Sequence, residues 1–327
     1  MSVPRPTGSD HTQRLDPMRV VIAIASAGRP AVLGQTVRYM AGTLIPAADE
    51  ILVCTPNKED AADLPDLPNL RAMVGPRGSC AQRNELLKAA TSADLVIFFD
   101  DDFYPARDFV ERTVALFRSR NDVAVATGNV LLDGIHGPGV TPDEAKAFLA
   151  EVPPQPHAIG DTYNAYGCNM VVRMDLIRAH GLSFDERLPL YAWLEDLDLS
   201  RQLARHGRSV RCTDMVGVHL GVKTGRSPGR RLGYSQIANP WYLVRKGTMS
   251  PSKAWSHVSR NVLANLAGAV KGDALVDRRG RLSGNIGAIV DILRGRSSPD
   301  RVLSFQDPKA NGTVSGTGGT SAKQQGS

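Results

Sequence analysis

Short, continuous apolar runs punctuate the first hundred residues. Arg19–Ala25 (RVVIAIA), Glu50–Cys54 (EILVC), Leu70–Val74 and Leu95–Phe99 (LVIFF) are strand-sized and rich in β-branched or aromatic residues. After the first run, the turn Ala27-Gly28-Arg29-Pro30 places a proline at a helix start, and the helix is expected over Ala31–Met40. A Gly-Pro-Arg-Gly turn precedes a second expected helix, Cys80–Ala90 (CAQRNELLKAA). Strands that are apolar throughout, alternating with helices, predict an α/β fold whose mostly parallel sheet is covered by helices on both faces. Ligands of such sheets bind beyond the C-terminal ends of the strands.

The middle of the chain is less regular. Residues 131–161 are rich in Gly and Pro and read as a loop with one short helix near Pro142–Leu149. Order returns with a strand at Gly167–Arg173 and a helix from Met174. A helix is expected over Trp193–His206, ending at Gly207, then short strands at Ser209–Cys212 and Met215–Val218. Further on, Trp255, Val258, Val262, Leu266 and Val270 recur at three- and four-residue steps, the signature of a helical stripe. A second helix is expected over Leu282–Leu293. These helices either pack on the domain or form a basic amphipathic pair on anionic lipid. Four segments follow: a disordered tail (1–17), an α/β domain (18–250), a basic helical extension (251–306) and a second disordered tail (307–327).

Composition sharpens this picture. With 42% hydrophobic and 22% charged residues, the 327-residue chain can bury a sizeable core, which excludes a mostly disordered protein. Cys54, Cys80, Cys168 and Cys212 are far apart and contain no CxxC pair, so they read as small buried residues in a reducing compartment; the spacing disfavours a zinc site. Charge is uneven: residues 1–200 carry 18 Lys+Arg against 27 Asp+Glu, whereas residues 201–300 carry 18 against 5. The basic third calls for an anionic partner such as phosphates or a lipid surface. Nucleic acid is not expected, because aromatic interleaving and zinc or repeat modules are missing. No run reaches a membrane span, and the polar N-terminus has no apolar signal core, so the expected location is the cytoplasm, with the inner face of the cell membrane as the surface for the basic third. Nothing in the pattern specifies an oligomeric state.

The candidate chemistry lies at strand and helix ends. Asp100-Asp101-Asp102 follow LVIFF directly. Three adjacent carboxylates repel one another, and Mn2+ or Mg2+ supplies the counter-charge while also binding substrate phosphates. The plain alternative is a solvated acidic turn. Glu195-Asp196, with Asp198 nearby, either complement a helix dipole or supply a general base, with Trp193 as an apolar wall beside them. His219 ends a strand, as a hydrogen-bonded core residue or as a metal ligand. The Gly- and Arg-rich stretch after it, with Lys223, Arg226, Arg230 and Arg231, suits a diphosphate or is a solvated loop. Arg83-Asn84 sit in a helix close to the acidic strand end, where the arginine reaches a pyrophosphate or lies on the surface.

Several of these segments occur in one recognisable order. Val20–Pro30 (VVIAIASAGRP) resembles the opening strand and turn of family 2 glycosyltransferases of the GT-A fold. Gly78–Asn84 (GSCAQRN) is similar to their G-x-x-x-A-R-N helix start, with one inserted Gln. Leu95–Asp102 resembles the strand ending in DxD, Gly167–Met170 and Phe184–Glu186 the acceptor-side segment, and Trp193–Arg201 with Gly207 the E-D helix. The resemblance covers residues 19–250 and implies an inverting transferase of a bacterial polysaccharide-biosynthesis type. By it, Asp102 binds the metal, Asp100 faces the metal or the nucleotide ribose, and His219 completes the coordination. Asp196 is the catalytic base and Glu195 orients the acceptor. Ala25, Ser26, Gly28, Arg29, Arg83, Asn84 and Asp101 belong to the nucleotide-sugar site, and Asn169 and Trp193 to the acceptor side. The implied partners are a nucleotide-diphosphate sugar donor and a glycan or lipid-linked acceptor. Two departures stand out: EILVC runs into Thr55-Pro56-Asn57 with no Asp at the strand end, and no QxxRW motif is present, which favours single addition over polymerisation. The competing expectation is a non-catalytic nucleotide-sugar or glycan binder on the same scaffold.

Overall fold

The protein is described by a computed structural model covering residues 17–135, 137–224, 228–272 and 276–305. Apart from residue 17, the expected tails lie outside these residues, as does Arg226. The first half contains β1 (Val20–Ala25), α1 (Pro30–Thr43), β2 (Glu50–Thr55), β3 (Leu70–Val74), α2 (Ser79–Ala89), β4 (Leu95–Asp100), β5 (Phe103–Pro105), α3 (Phe109–Ser119) and β6 (Val123–Asp133). The second contains α4 (Pro142–Glu151), β7 (Ile159–Asp161), β8 (Asn169–Arg173), α5 (Met174–His180), α6 (Glu195–Leu203), β9 (Arg208–His219), α7 (Gly229–Lys246), α8 (Pro251–Lys271) and α9 (Arg278–Leu293).

One sheet runs β3-β2-β1-β4-β8-β6-β9-β5, with β7 also on β9. β3, β2, β1, β4, β6 and β9 run in one direction; β8, β5 and β7 run against them. The apolar runs are continuous because both faces are covered. In β1, Val21 and Ala23 join one core while Val20, Ile22 and Ile24 join the other. In β4, Val96 and Phe98 face the first, and Leu95, Ile97 and Phe99 the second. Each such large side chain contributes about 1.5–3 kcal/mol on burial.

Register brings the chemistry together. Ala25 pairs with Asp100 on β4 and with Cys54 on β2, so three strands end side by side. Beyond that edge β5 folds back along β9, pairing Phe103 with His219, while β6 pairs Asp133 with His219. The acidic triplet, His219 and Asp133 are thereby drawn to one corner.

Several boundaries differ from the expected ones. The helix expected from Trp193 begins at Glu195, because Leu194 is left-handed at φ 76°. The two short strands after it are one strand, β9, with irregular pairing to β6. The stretch read as a basic loop up to Arg231 enters α7 at Gly229, so Arg230 and Arg231 are helical.

α7 connects the sheet domain to the last helices. Its C-terminal half is fixed by Asp198, which is fully buried and accepts hydrogen bonds from Lys246 Nζ (2.7 Å), Thr248 Oγ1 (2.6 Å) and Gln202 Nε2 (2.9 Å). Its N-terminal half packs Tyr234, Ile237 and Ala238 against Ala288 and Val302. Glycines permit this approach: a Cβ at Gly233 would lie 2.0 Å from Arg281 O, and one at Gly284 2.2 Å from Arg230 O. Asn265 donates to Gln236 (2.8 Å) and Asn285 (2.9 Å), and Asn285 donates to Gly233 O (2.6 Å), so the buried amides between the helices satisfy one another.

The helical stripe divides. Val258 and Val262 pack on the α7–α9 core, while Trp255 (74% exposed), Leu263, Leu266 and Val270 (82% exposed) stay outside, as do Ile286, Ile289 and Leu293 of α9. At 100° per residue, Arg260, Lys253 and Lys271 lie together on one side of the exposed apolar arc of α8, and the helix contains no acidic residue. Among the described residues, no helix is long and apolar enough to cross a membrane.

Candidate active site

The site begins where β4 ends. Asp100, Asp102 and His219 each offer one ligand atom, all within 4.8 Å of one another. Asp102 is nearly buried; it accepts a 2.8 Å hydrogen bond from Val222 N at Oδ2 and faces His219 Nε2 at 3.4 Å through Oδ1. His219 Nδ1 lies 2.9 Å from Asp133 Oδ1, which fixes the ring with Nε2 toward Asp102. Burial disfavours a charged imidazole, but its contacts with Asp102 and Asp133 outweigh this and raise His219 to about 10. Burial likewise opposes ionisation of Asp102, and His219 and Arg29 overcome it, holding the carboxyl below its ordinary value. Two carboxylates and an imidazole, oriented by a further carboxylate, form a donor set that fits Mn2+ or Mg2+. A cation there would take the place of the proton on Nε2.

Asp101 lies in a different environment. It is buried, Arg29 grips it with two guanidinium nitrogens, and Ser26 Oγ donates to it at 2.5 Å. Burial pushes Asp101 up, to about 7, against the pull of Arg29. Ser26, Arg29 and Asp101 thus bind one another, with the backbone of the β1 turn held over the strand end. Gly28 N of that turn donates to Asp60 Oδ2 at 2.8 Å. Asp60 carries no signal in the sequence; it lies five residues beyond β2 and returns to the turn.

Arg83 spans the site. Its Nη2 binds Asp100 Oδ1 (3.0 Å) and Gly167 O (3.1 Å), and its Nη1 binds Glu195 Oε1 (2.9 Å). The side chain is 5% exposed and its guanidinium lies 5.7 Å from the Phe98 ring centroid and 5.4 Å from that of Phe184. Gly167 N in turn donates to Asp196 Oδ2 (3.0 Å), and Leu197 N donates to Asp196 Oδ1 (2.7 Å). Burial pushes both Glu195 and Asp196 above the ordinary carboxylate range, despite Arg83 for the first and the backbone N–H groups for the second. Asp196 is therefore a stronger base than a solvated aspartate and remains partly accessible.

The approach to α6 is strained. Leu190 (φ 59°), Ala192 (φ 54°) and Leu194 (φ 76°) are left-handed without being glycine. The alternation exposes Tyr191, which stacks on Trp193 with centroids 6.3 Å apart. Nothing in the local sequence signals this conformation.

Two expected site residues are structural instead. Asn84 spends its amide on the 184–186 segment: Nδ2 donates to Phe184 O (2.9 Å) and Glu186 Oε1 (2.8 Å), and Oδ1 accepts from Phe184 N (2.9 Å). It is not free for a nucleotide sugar. Asn169 is fully buried on β8, where Oδ1 accepts from Thr127 Oγ1, so no acceptor reaches it in this conformation. Lys223 is turned to Gly134 O and Ile135 O (2.8 and 3.1 Å). Conversely, the inserted Gln82 ties together the ends of β1 and β2, because its Nε2 donates to both Ser26 O (2.8 Å) and Cys54 O (2.7 Å). Asp133 also escapes a reading of the sequence, although it ends an apolar strand just as Asp100 does.

A family model described as glycosyltransferase like family 2 matches residues 17–218. The chain belongs to glycosyltransferase-like family 2. No curated protein sequence matches it. Among solved structures, this family 2 chain is similar in fold to a mannosyltransferase, PcManGT from Pyrobaculum calidifontis, in complex with GDP-Man and Mn2+ (16% identity, 85% of this chain and 88% of that one, TM-score 0.51). It is also similar to residues 1–349 of TarS from S. aureus (14% identity, 87% of this chain and 82% of that one, TM-score 0.53). A structure of the same TarS segment in complex with UDP-GlcNAc matches at 12% identity over 87% of this chain and 83% of that one, with TM-score 0.52. At these identities the likeness is one of fold, the GT-A architecture of a mixed α/β glycosyltransferase.

Proposed function

We propose that this family 2 glycosyltransferase is an inverting, metal-dependent enzyme. It would move one sugar from a nucleotide-diphosphate sugar to a hydroxyl of a glycan or lipid-linked acceptor, in bacterial surface polysaccharide or glycoconjugate assembly. The observation that supports it best is the single guanidinium of Arg83, which joins the carboxylate corner at Asp100 to the acid pair at Glu195. PcManGT, of the same fold, is in complex with GDP-Man and Mn2+, which agrees with a donor-and-cation corner of this kind.

Asp100, Asp102 and His219 hold the cation. When bound, it supplies Lewis-acid neutralisation of the charge that collects on the leaving diphosphate. Ala25, Ser26, Gly28 and Arg29, with Asp60 behind the turn, line the nucleotide end; Arg29 and Asp101 keep that turn in place. Asp196 accepts the proton of the acceptor hydroxyl as its oxygen forms a bond to the anomeric carbon. The bond from that carbon to the diphosphate oxygen breaks on the opposite face, and its electron pair leaves with the nucleotide. Charge on the sugar ring is oxocarbenium-like at this point, by analogy with glycoside cleavage. Glu195, held by Arg83, orients the acceptor, and Tyr191 and Trp193 offer a stacking surface for a sugar ring.

A thermal-shift screen of UDP, GDP, dTDP and CMP with and without Mn2+ tests the reading. One nucleoside diphosphate should raise the melting temperature only when Mn2+ is present, because a ligand that binds the native state stabilises it by mass action. No shift with any nucleotide would remove the donor assignment. Slow Mn2+-dependent hydrolysis of a nucleotide sugar separates an enzyme from a non-catalytic binder; a partly accessible Asp196 with both oxygens held by backbone N–H groups favours the enzyme.

The exposed arc of α8, with lysine and arginine on one side of it, supports peripheral attachment to the anionic inner face of the cell membrane. Of the thirteen exposed large hydrophobic residues among the described residues, nine fall from Trp241 to Leu303, so apolar exposure there is concentrated in the basic third. Flotation with anionic liposomes tests this: Trp255→Ser combined with Leu266→Ser should abolish binding, and failure of the unaltered protein to float would end the proposal.

A further inference from the structure

Away from the donor corner, His157, Cys212 and Asp214 form a second group whose ligand atoms all lie within 4.8 Å of one another. His157 Nδ1 is 3.0 Å from Asp214 Oδ2 and 3.9 Å from Cys212 Sγ, and Cys212 Sγ is 3.0 Å from Asp214 Oδ1. The cluster is built by pairing. Cys212 and Asp214 are on β9, and His157 lies just before β7, the strand whose Ile159 pairs with Cys212. Thr213, between the two β9 ligands, clamps the histidine segment: its Oγ1 donates to Pro156 O and accepts from Ala158 N (2.9 Å), and its amide donates to Ala158 O (3.0 Å). The cysteine and aspartate are buried, whereas the His157 side chain is 55% exposed, leaving an open side for water.

We propose that His157, Cys212 and Asp214 form a second metal site, selective for Zn2+ or a similar borderline-soft divalent ion, with water in the fourth position. Thiolate, imidazole and carboxylate are the ligand types zinc prefers, whereas the oxygen-rich corner at Asp100 suits Mn2+ or Mg2+. Ligand atoms on a tetrahedral zinc with bonds of about 2.0–2.3 Å are about 3.3–3.7 Å apart; the thiol–imidazole separation of 3.9 Å lies just above that range, and the Asp214 carboxylate reaches the imidazole and the thiol at 3.0 Å through its two different oxygens. The balance is simple: the ion binds as the Cys212 thiol loses its proton to solvent, and nothing is oxidised or reduced. Without an ion, the Cys212 thiol donates to Asp214 Oδ1 at 3.0 Å. Arg112 Nη1, 3.6 Å from Asp214 Oδ2, is the one competing cation among the described residues near the group, and its Nε is already engaged by Asp108 at 2.9 Å. Bound zinc would fasten the segment between α4 and β7 to the sheet. The cysteine spacing gives no hint of this, since the three ligands meet only through the β7–β9 pairing.

Cobalt titration of the reduced full chain tests it. The expected result is a thiolate-to-cobalt charge-transfer band in the near ultraviolet that saturates at one equivalent and is displaced by Zn2+. Cys212→Ser should abolish the band. His157→Ala, at an exposed position that leaves the core intact, should weaken cobalt binding by more than the roughly 10–100-fold that loss of an outer-shell partner costs. Asp102→Asn, which alters only the donor corner, should leave the band in place, so this outcome is read independently of the glycosyltransferase assignment. No charge-transfer band in the unaltered protein, or a band that survives in both the Cys212→Ser and the His157→Ala variants, would show a hydrogen-bonded triad only and overturn the proposal.

Discussion

Asp100 and Glu195 are joined through one guanidinium: Arg83 binds the first at 3.0 Å and the second at 2.9 Å, from inside the core. The distance between the end of β4 and the start of α6 is therefore set by a rigid planar fork, not by two flexible side chains meeting in solvent. On the proposed reading, transfer needs the donor's diphosphate and the acceptor's base held at a fixed separation, which this fork would provide.

Replacing that fork should damage stability and catalysis together. Arg83→Gln removes the cation but leaves Asp100 and Glu195 facing it, and breaking a buried pair costs about 3–5 kcal/mol. Arg83→Lys keeps the charge but can satisfy only part of the three-acceptor arrangement, so it should fall between. Denaturant unfolding and Mn2+-dependent nucleotide-sugar hydrolysis measure the two effects. A Gln variant with unaltered stability and turnover would mean that the bridge has no role.

Asp196→Asn keeps the shape and one of the two backbone hydrogen bonds at that site, but loses the basic oxygen and sets an amide NH2 against the other backbone N–H. Turnover with acceptor should fall by about 10²–10⁴, with donor affinity nearly unchanged. Steady-state kinetics set beside calorimetry of the nucleotide makes the comparison. Equal loss of binding and turnover would point to a structural role for Asp196.

Asp133 acts through His219, whose Nδ1 it holds at 2.9 Å. Asp133→Asn should reduce Mn2+ affinity by about 10–100-fold, the usual cost of losing a carboxylate behind a ligating histidine. Manganese titration followed by electron paramagnetic resonance reads this directly, and unchanged affinity would take His219 out of the ligand set.

Asp198 is buried beneath the C-terminal end of α7 and is bound there by Lys246 and Thr248. Asp198→Ala should strand the ammonium of Lys246 beside Asp185 alone and destabilise the fold by about 3 kcal/mol. Limited proteolysis should then cut between α7 and α8 sooner than in the unaltered chain. Unchanged protection would show that α7 is held by its apolar face without this anchor.

The sheet is legible in the sequence where physical constraints act locally. β1, β2 and β4 are buried on both faces, and that burial requires uninterrupted apolar runs. Asp102, His219 and Asp196 are legible because each follows directly on a recognisable strand or opens a helix. What stays hidden depends on pairing between distant segments. Asp133 matters only because β6 ends opposite His219; Asn84 looks like a site residue until the 184–186 segment takes up its amide, and Asn169 until β8 buries it with Oδ1 accepting from Thr127. α7 escapes for a different reason. Its sequence contains Gly229, Gly233 and Pro240, poor helix formers that are tolerated because Gly233 lets α9 approach and the C-terminal half is anchored by Asp198. The left-handed residues before α6 leave no trace in composition at all.

The central claim is that Asp100, Asp102 and His219 carry a divalent cation to which the donor diphosphate is bound. Calorimetry of the chelator-treated protein, using the nucleoside diphosphate selected by the thermal-shift screen, tests it most directly. Binding should be at least about tenfold tighter with Mn2+ than without, a difference of about 1.4 kcal/mol, and this dependence should vanish in Asp102→Ala. Equal affinity with and without Mn2+, or a full Mn2+ effect in the Asp102→Ala variant, would contradict the account.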